Sequence, residues 1–389
     1  MEDHLSDTFQ MNFVCWKIFG IWPGKSSSKY YKFYSFFYVF IFFVIYNVIL
    51  TVNLYYTPLE VDLIIEEAIY YFNEVAIMLK VATILIWREK ILALFDILDC
   101  NPFKGKDEVS KEIIVRNIQR YKTCWKLYAV QSHFAVFLCC IVPVIMHFLP
   151  VEYQLKFPVS KYLLLSVETR DKYFGWLYSY QVSGLYGQMM YNVNIDSFFA
   201  GLLYLAITQM EVLDHQLRSL RWEKQNGTDN PEQKRVNELK YCLRHYDEIL
   251  RYCAAVQNIF SLMLFVQFGM ASAIICVISC ATFLPNSEVV PMLSYLTCMT
   301  VQIFVPAWLG TQLTYKSKSL VFAAYNSEWV PRSEPFKSSI KIFMERANTP
   351  IIISGMNLFT LNLENFIAIM KTAYSFLTLV RNVQENNNN

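Results

Sequence analysis

The chain has 389 residues, of which 55 % are hydrophobic and 16 % aromatic while only 17 % are charged, and its mean hydropathy is +0.28. This excludes an ordinary soluble domain and marks a membrane protein. The net charge of +2 says little by itself, its distribution is what informs, and no nucleic-acid partner is expected.

The first 29 residues mix Asp3, Asp7, Trp16, Lys17 and Lys25 and lack a compact apolar core ahead of a small-residue site. No cleavable signal peptide is expected, and the first spanning segment acts as its own insertion signal. A helix needs about 20 predominantly apolar residues to cross a hydrocarbon core about 30 Å thick. Windows of this kind fall at 33–53, 68–87, 127–149, 173–210, 252–285, 289–315 and 350–380. The first, fifth and sixth contain no charged side chain. The pattern predicts an all-α, seven-transmembrane helical bundle forming a single domain over residues 1–389, with no internal repeat and no connection long enough for a separate soluble unit.

Lys and Arg near segment ends stay cytoplasmic. Of the 34 in the chain, 27 lie in the amino-terminal arm and in the connections 88–126, 218–251 and 316–346, and only 5 lie on the opposite side. The amino terminus is therefore expected inside and, after an odd number of crossings, the carboxyl terminus outside. All ten cysteines fall in helices or on the cytoplasmic side, where disulfides are not favoured. The one sequon, Asn226-Gly227-Thr228, falls on the same side and is expected to carry no glycan.

The fourth window holds 38 residues, about 57 Å of helix, so it overshoots the membrane. Its continuation keeps Val212, Leu213, Leu217 and Leu220 at helical spacing before a break at Gly227 and Pro231. Val236, Leu239, Leu243, Ile249 and Leu250 then resume the pattern and run into the fifth crossing. Phe336, Ile340, Phe343 and Ala347 form one stripe with charges opposite, either a helix on the lipid surface or part of an intracellular helix cluster, and extensions from several crossings favour the cluster.

Catalytic signals are scarce. His4, His133, His147, His215 and His245 form no pair at metal-ligand spacing, and no phosphate loop or Gly-x-Ser-x-Gly elbow is present, so neither an enzyme nor a cofactor is expected. Polar groups inside the membrane are costly and are functional candidates. Glu364 and Lys371 lie seven residues apart, two turns, on one face of the last helix, where they anchor helices together or border a permeation path. Glu74, Lys80 and Asp196 read as packing contacts without an assignable partner. In the fourth window Tyr178, Gln181, Gln188 and Met189 alternate with Gly184 and Gly187, which suits either a packed core or a small, mostly apolar ligand. Pro143 and Pro306 interrupt the third and sixth crossings and invite kinks.

The segment "LNLENFIAIMKTAYSFLTLV", 361–380, resembles the last transmembrane helix of insect odorant receptors through Lys371-Thr372-Ala373-Tyr374-Ser375 and the following Phe376, Thr378 and Leu379. Ala324, Tyr325 and Trp329 in "AAYNSEWV" and the amino-terminal "GIWP" at 20–23 resemble further marks of that family, while Thr311 follows Gly310 where many members have Asn. The resemblance implies an odorant-tuning subunit of a nonselective cation channel gated by a small volatile odorant. It also implies a heterotetramer with co-receptor subunits, in the lipid of the plasma membrane of olfactory neuron dendrites. The cytoplasmic helical extensions become an anchor domain, and Tyr374, Leu377 and Arg381 line the pore. The odorant pocket, in the outer half, involves Tyr70, Phe72, Cys140, His147, Tyr178, Gln181, Leu185, Tyr295 and Met299. A gustatory receptor is similar in layout but ends its last segment in Thr-Tyr-x-x-x-x-Gln-Phe, whereas this helix ends Leu379-Val380-Arg381-Asn382. A transporter would show paired repeats of broken helices.

Overall fold

A computed structural model describes residues 5–24, 28–149, 154–160, 165–220, 231–281 and 289–388, so the sequon and the break at Gly227 lie outside the described residues. Nearly all of the chain is helical, because a backbone in lipid must satisfy its own hydrogen bonds. A 3-10 turn, Leu5–Phe9, leads into α1 (Gln10–Ile18) and then α2 (Lys29–Tyr56), whose middle, Phe40–Ile45, is π-helical. There follow α3 (Val61–Ile86), α4 (Arg88–Leu98), α5 (Glu108–Phe148), α6 (Val167–Lys172), α7 (Phe174–Ser219), α8 (Pro231–Ala281), α9 (Val289–Tyr325) and α10 (Glu334–Ala347). Strands β1 (Ser354–Gly355) and β2 (Phe359–Thr360) precede the last helix, α11 (Leu363–Asn388).

Among the described residues α2, α3, α5, α7, α8 and α9 are long and apolar enough to span a membrane. The window at 350–380 supplies a further helix but not along its whole length. Residues 350–362 are not helical: Ser354 pairs with Thr360 and Gly355 with Phe359, across a turn in which Met356 and Asn357 take positive φ. Pro350 lacks a donor and Asn357 accepts the left-handed conformation, whereas hydropathy alone does not separate an apolar hairpin from a helix.

Burial ranks the helices. In the most apolar stretch of α7, 89 % of the residues are buried, against 17 % in α2 and 11 % in α5, so α7 is the central post and the other two lie at the outside of the bundle. Exposed Phe33, Phe36, Phe37 and Phe40 cover the outside of α2. Pro143 lies two residues beyond a π-helical segment of α5, Phe137–Ile141, since its missing N–H breaks the regular ladder there. The amino-terminal arm is packed: Phe9 and Trp16 are buried against Phe198 of α7, and Asn12 Nδ2 donates to the Asn194 carbonyl at 2.9 Å.

At one end of the bundle α5, α7, α8 and α9 run past their apolar stretches and pack together. Asn117 of α5 donates to Glu211 Oε2 of α7 at 2.9 Å, and Lys316 of α9 reaches Glu211 Oε1 at 3.1 Å. Phe336, Ile340, Phe343 and Ala347 are the buried side chains of α10, and Phe343 meets Tyr246 of α8 edge-on at 5.1 Å, so this helix belongs to the cluster rather than to a lipid surface.

His245 lies in the charged part of α8, ahead of the uncharged stretch that begins at Tyr252, with Nε2 2.9 Å from Gln209 Oε1 and Nδ1 3.3 Å from Gln216 Oε1. Burial pushes its pKa down to about 3, so the imidazole is neutral. One nitrogen donates to Gln209. The other suits the otherwise unpartnered Gln216 Nε2 once that amide is turned over. Because the folded pKa lies below the ordinary value of 6.5, folding binds fewer protons, and stability present above pH 6.5 declines as pH falls toward 3. The thermal midpoint of the purified receptor is expected to drop between pH 7.5 and 5, and to drop less in His245→Gln. Equal pH slopes in the two proteins would refute this.

Candidate functional site

The half of the bundle remote from the helix cluster contains the expected ligand residues, and the structure treats them unequally. Tyr70 on α3 stacks obliquely on Tyr295 of α9 with ring centroids 6.3 Å apart. Tyr70 and Leu185 pack against a small separate core of Tyr46, Leu50 and Val159, whereas Tyr295 packs against the main core, so the pair bridges the two. Phe72, two residues from Tyr70 and therefore turned well away from it, joins the main core with the buried Met299. Tyr178 Oη donates to the Cys140 carbonyl at 2.6 Å and fixes α7 to α5.

Gln181 holds a loop. Its Oε1 accepts from Val159 N at 3.4 Å and Ser160 N at 3.1 Å, and its Nε2 donates to the Ser160 carbonyl at 3.1 Å. His147 is exposed at the end of α5, 5.5 Å from the Phe148 ring. A crevice of about 560 Å³ opens sideways between α2, α5 and α7, where Phe42 and Phe137 of the two π segments face it with His133 and Tyr186. It is lined by none of the nine expected ligand residues.

A polar centre runs through the middle of the bundle. Lys80 Nζ lies 2.6 Å from Asp196 Oδ1 and 2.6 Å from Asn192 Oδ1, which also accepts from Gln302 Nε2 at 3.2 Å. The partner that sequence reasoning left unassigned for Lys80 is thus on α7, 116 residues away. Glu74 is six residues before Lys80, a rotation of about 120° on the helix, so it points elsewhere. It is 3 % exposed, and among the described residues its Oε2 has no hydrogen-bond partner. Tyr46, in an uncharged window, was invisible as a candidate, yet its ring lies against α7 so closely that a Cβ on Gly184 would fall 2.2 Å from Cδ2.

The last helix is buried on one side only. Phe366 meets Phe304 of α9 at 5.4 Å and Ala373 is buried, while Glu364, Ile367, Lys371 and Tyr374 are exposed and Leu377 is half-buried. The Arg381 side chain lies outside the described residues.

These features define a polytopic, mostly helical membrane protein with an enclosed polar centre, a one-sided last helix and a cluster of helical extensions. The chain belongs to the 7tm Odorant receptor family, whose sequence profile matches residues 60–374. It is 25 % identical over 241 residues to Odorant receptor 67c of Drosophila melanogaster, covering 58 % of this chain and 59 % of that one. Odorant receptor 46a, isoform B, of the same species is 24 % identical over 328 residues, covering 80 % of this chain and 81 % of the relative. The chain spans just over half the length of the first relatives it matches. Its fold matches the insect olfactory receptor OR5 from Machilis hrabei, in complex with eugenol, with a TM-score of 0.84 at 17 % identity over 98 % of this chain and 99 % of that one. A second structure of OR5 gives 0.83 at 18 % identity, over 97 % and 98 % of the two chains. These relatives are named as receptors, not as enzymes.

Proposed function

We propose that this chain is the odorant-binding subunit of a ligand-gated nonselective cation channel, working with co-receptor subunits in a heterotetramer in the dendritic plasma membrane of olfactory sensory neurons. The observation that carries the reading is the one-sided burial of α11. Its exposed face sets Glu364 and Lys371 in line with Tyr374, and charges in the depth of a membrane need protein or water beside them rather than lipid. Neighbouring subunits and an aqueous pore supply both, with Tyr374, Leu377 and Arg381 on the lining side. Basic residues concentrated at the helix-cluster end support a reading in which the amino terminus and that cluster are cytoplasmic and the carboxyl terminus is outside, in one seven-segment domain.

A small volatile odorant then occupies the outer half, near Tyr70 and Tyr295, and opens the pore by binding the open arrangement more tightly than the closed one. Expressed with a co-receptor, the chain is expected to give an odorant-evoked cation current that persists when G-protein signalling is blocked. Tyr295→Ala is expected to reorder odorant potency at unchanged surface level. A current that requires G protein and no co-receptor, or an antibody tag reached from outside at the head but not at the tail, would overturn the reading.

A further inference from the structure

Four helices bring polar atoms together without partners in the outer half. Tyr46, Glu74 and Gln188 are 2 %, 3 % and 1 % exposed. Yet, among the described residues, Tyr46 Oη, Glu74 Oε2, Gln188 Oε1 and Nε2, and Tyr295 Oη all lack a hydrogen-bond partner while being shielded from solvent. They belong to one locality. Glu74 acts electrostatically on the hydroxyls of both Tyr46 and Tyr295, and the Tyr46 ring lies on Gly184, one helical turn from Gln188 on the same face of α7. Folded proteins leave few such atoms unsatisfied, and five in one place on α2, α3, α7 and α9 indicate that something else occupies these valences. Lys80 is not available to Glu74, because its ammonium is held by Asp196 and Asn192.

We infer that Glu74, with Tyr46, Gln188 and Tyr295 around it, forms the polar end of the odorant cavity and selects ligands whose head group donates a hydrogen bond, an alcohol or phenol hydroxyl or an amine. The inference rests on the proposed reading of this half of the bundle as the odorant site. A carboxyl group accepts a hydrogen bond whether or not it carries a proton, but donates one only when protonated. Donor head groups are therefore matched in both states, whereas ketones, esters and ethers are matched in one at most. The tyrosine hydroxyls and the Gln188 amide both donate and accept, so they complete the bonding of a hydroxyl that also offers lone pairs. Tyr70, Leu50 and Leu185 beside them provide the apolar wall for the hydrocarbon part. A site built around a buried polar group discriminates strongly against an analogue that leaves the group unpaired.

The test uses the full chain with a co-receptor and one series of equal length: n-alkanol, n-alkylamine, the methyl ether, the aldehyde and the alkane. In wild type the alcohol and amine are expected to act at concentrations at least about tenfold below the ether, equivalent to about 1.4 kcal/mol. Glu74→Leu is expected to abolish that preference while responses to the ether and alkane persist, and Glu74→Gln, the conservative variant, to keep part of it. The same order should appear in the ligand-induced rise of the thermal midpoint of the purified receptor. Currents to donor-free compounds with no donor preference, or an unchanged preference in Glu74→Leu, would assign the free valences to water and overturn the inference while leaving the receptor reading intact. Donor-selective thermal stabilisation without any odorant-evoked current would instead strike the channel reading and leave the site standing.

Discussion

Lys80→Met is expected to cost about 3–5 kcal/mol and to remove most of the receptor from the cell surface, because it leaves Asp196 charged and uncompensated in a site from which water is excluded. The side chains of Lys80 and Asp196 are 0 % and 7 % exposed, and their contact at 2.6 Å joins α3 to the central helix α7. Asp196→Leu is expected to act in the same direction, since it strands the ammonium on Asn192 and leaves one charge unpaired. The double change to Met and Leu is expected to recover much of the loss, because a buried ion pair replaced by apolar side chains of similar volume is often neutral. Thermal midpoints in detergent and surface labelling, taken across the four proteins as a cycle, measure the coupling directly. Single variants as stable as wild type, or a double variant no better than the worse single, would show that the pair contributes nothing to the fold.

Substitution at Gly310 is expected to be nearly as severe, for a different reason. A Cβ there would fall 2.0 Å from the carbonyl oxygen and 2.9 Å from the carbonyl carbon of Leu361. Both are backbone atoms at the entry to α11, so no rotamer change relieves the clash, and α9 must part from the chain that leads into the last helix. Overpacking usually costs about 1–3 kcal/mol when side chains adjust, and here backbone must move. Three hydrogen bonds resist that movement: Leu363 N donates to Thr311 Oγ1 at 2.9 Å, Thr314 Oγ1 donates to the Ile351 carbonyl at 3.0 Å, and Ile351 N donates to Ser317 Oγ at 3.0 Å. Gly310→Ala is expected to lower the thermal midpoint and Gly310→Leu to prevent surface delivery, whereas Thr311→Val, which removes only a cap on α11, should cost about 1 kcal/mol. Normal trafficking of Gly310→Leu would contradict this account. The same contacts give Thr311 a role in holding α9 to the start of α11.

What was legible in the sequence was what depends on local pattern. The stripe Phe336, Ile340, Phe343 and Ala347 matches the buried face of α10 residue for residue, because a helix facing a core on one side needs an apolar residue every three or four positions. The overrun of the fourth window into the helix cluster followed from its length alone. By contrast, the hairpin at 350–362 has the apolar content of a helix and was absorbed into one. Gln181 looked like a free handle, since nothing local reveals that two loop amides and a carbonyl come to meet it.

Transfer free energy and charge placement are properties of short stretches, so the sequence by itself determined that this is a multi-pass membrane protein and that several of its helices run on past their apolar stretches. The family marks in its last helix are likewise local. Which intramembrane charge is satisfied and which is left open is decided only when distant helices meet: Asp196 comes within reach of Lys80, while among the described residues no hydrogen-bond partner reaches Glu74 Oε2. The physical reason is range. A hydrogen bond acts over about 3 Å, whereas its partners here are separated by up to 185 residues of chain, and only tertiary packing brings them to that distance.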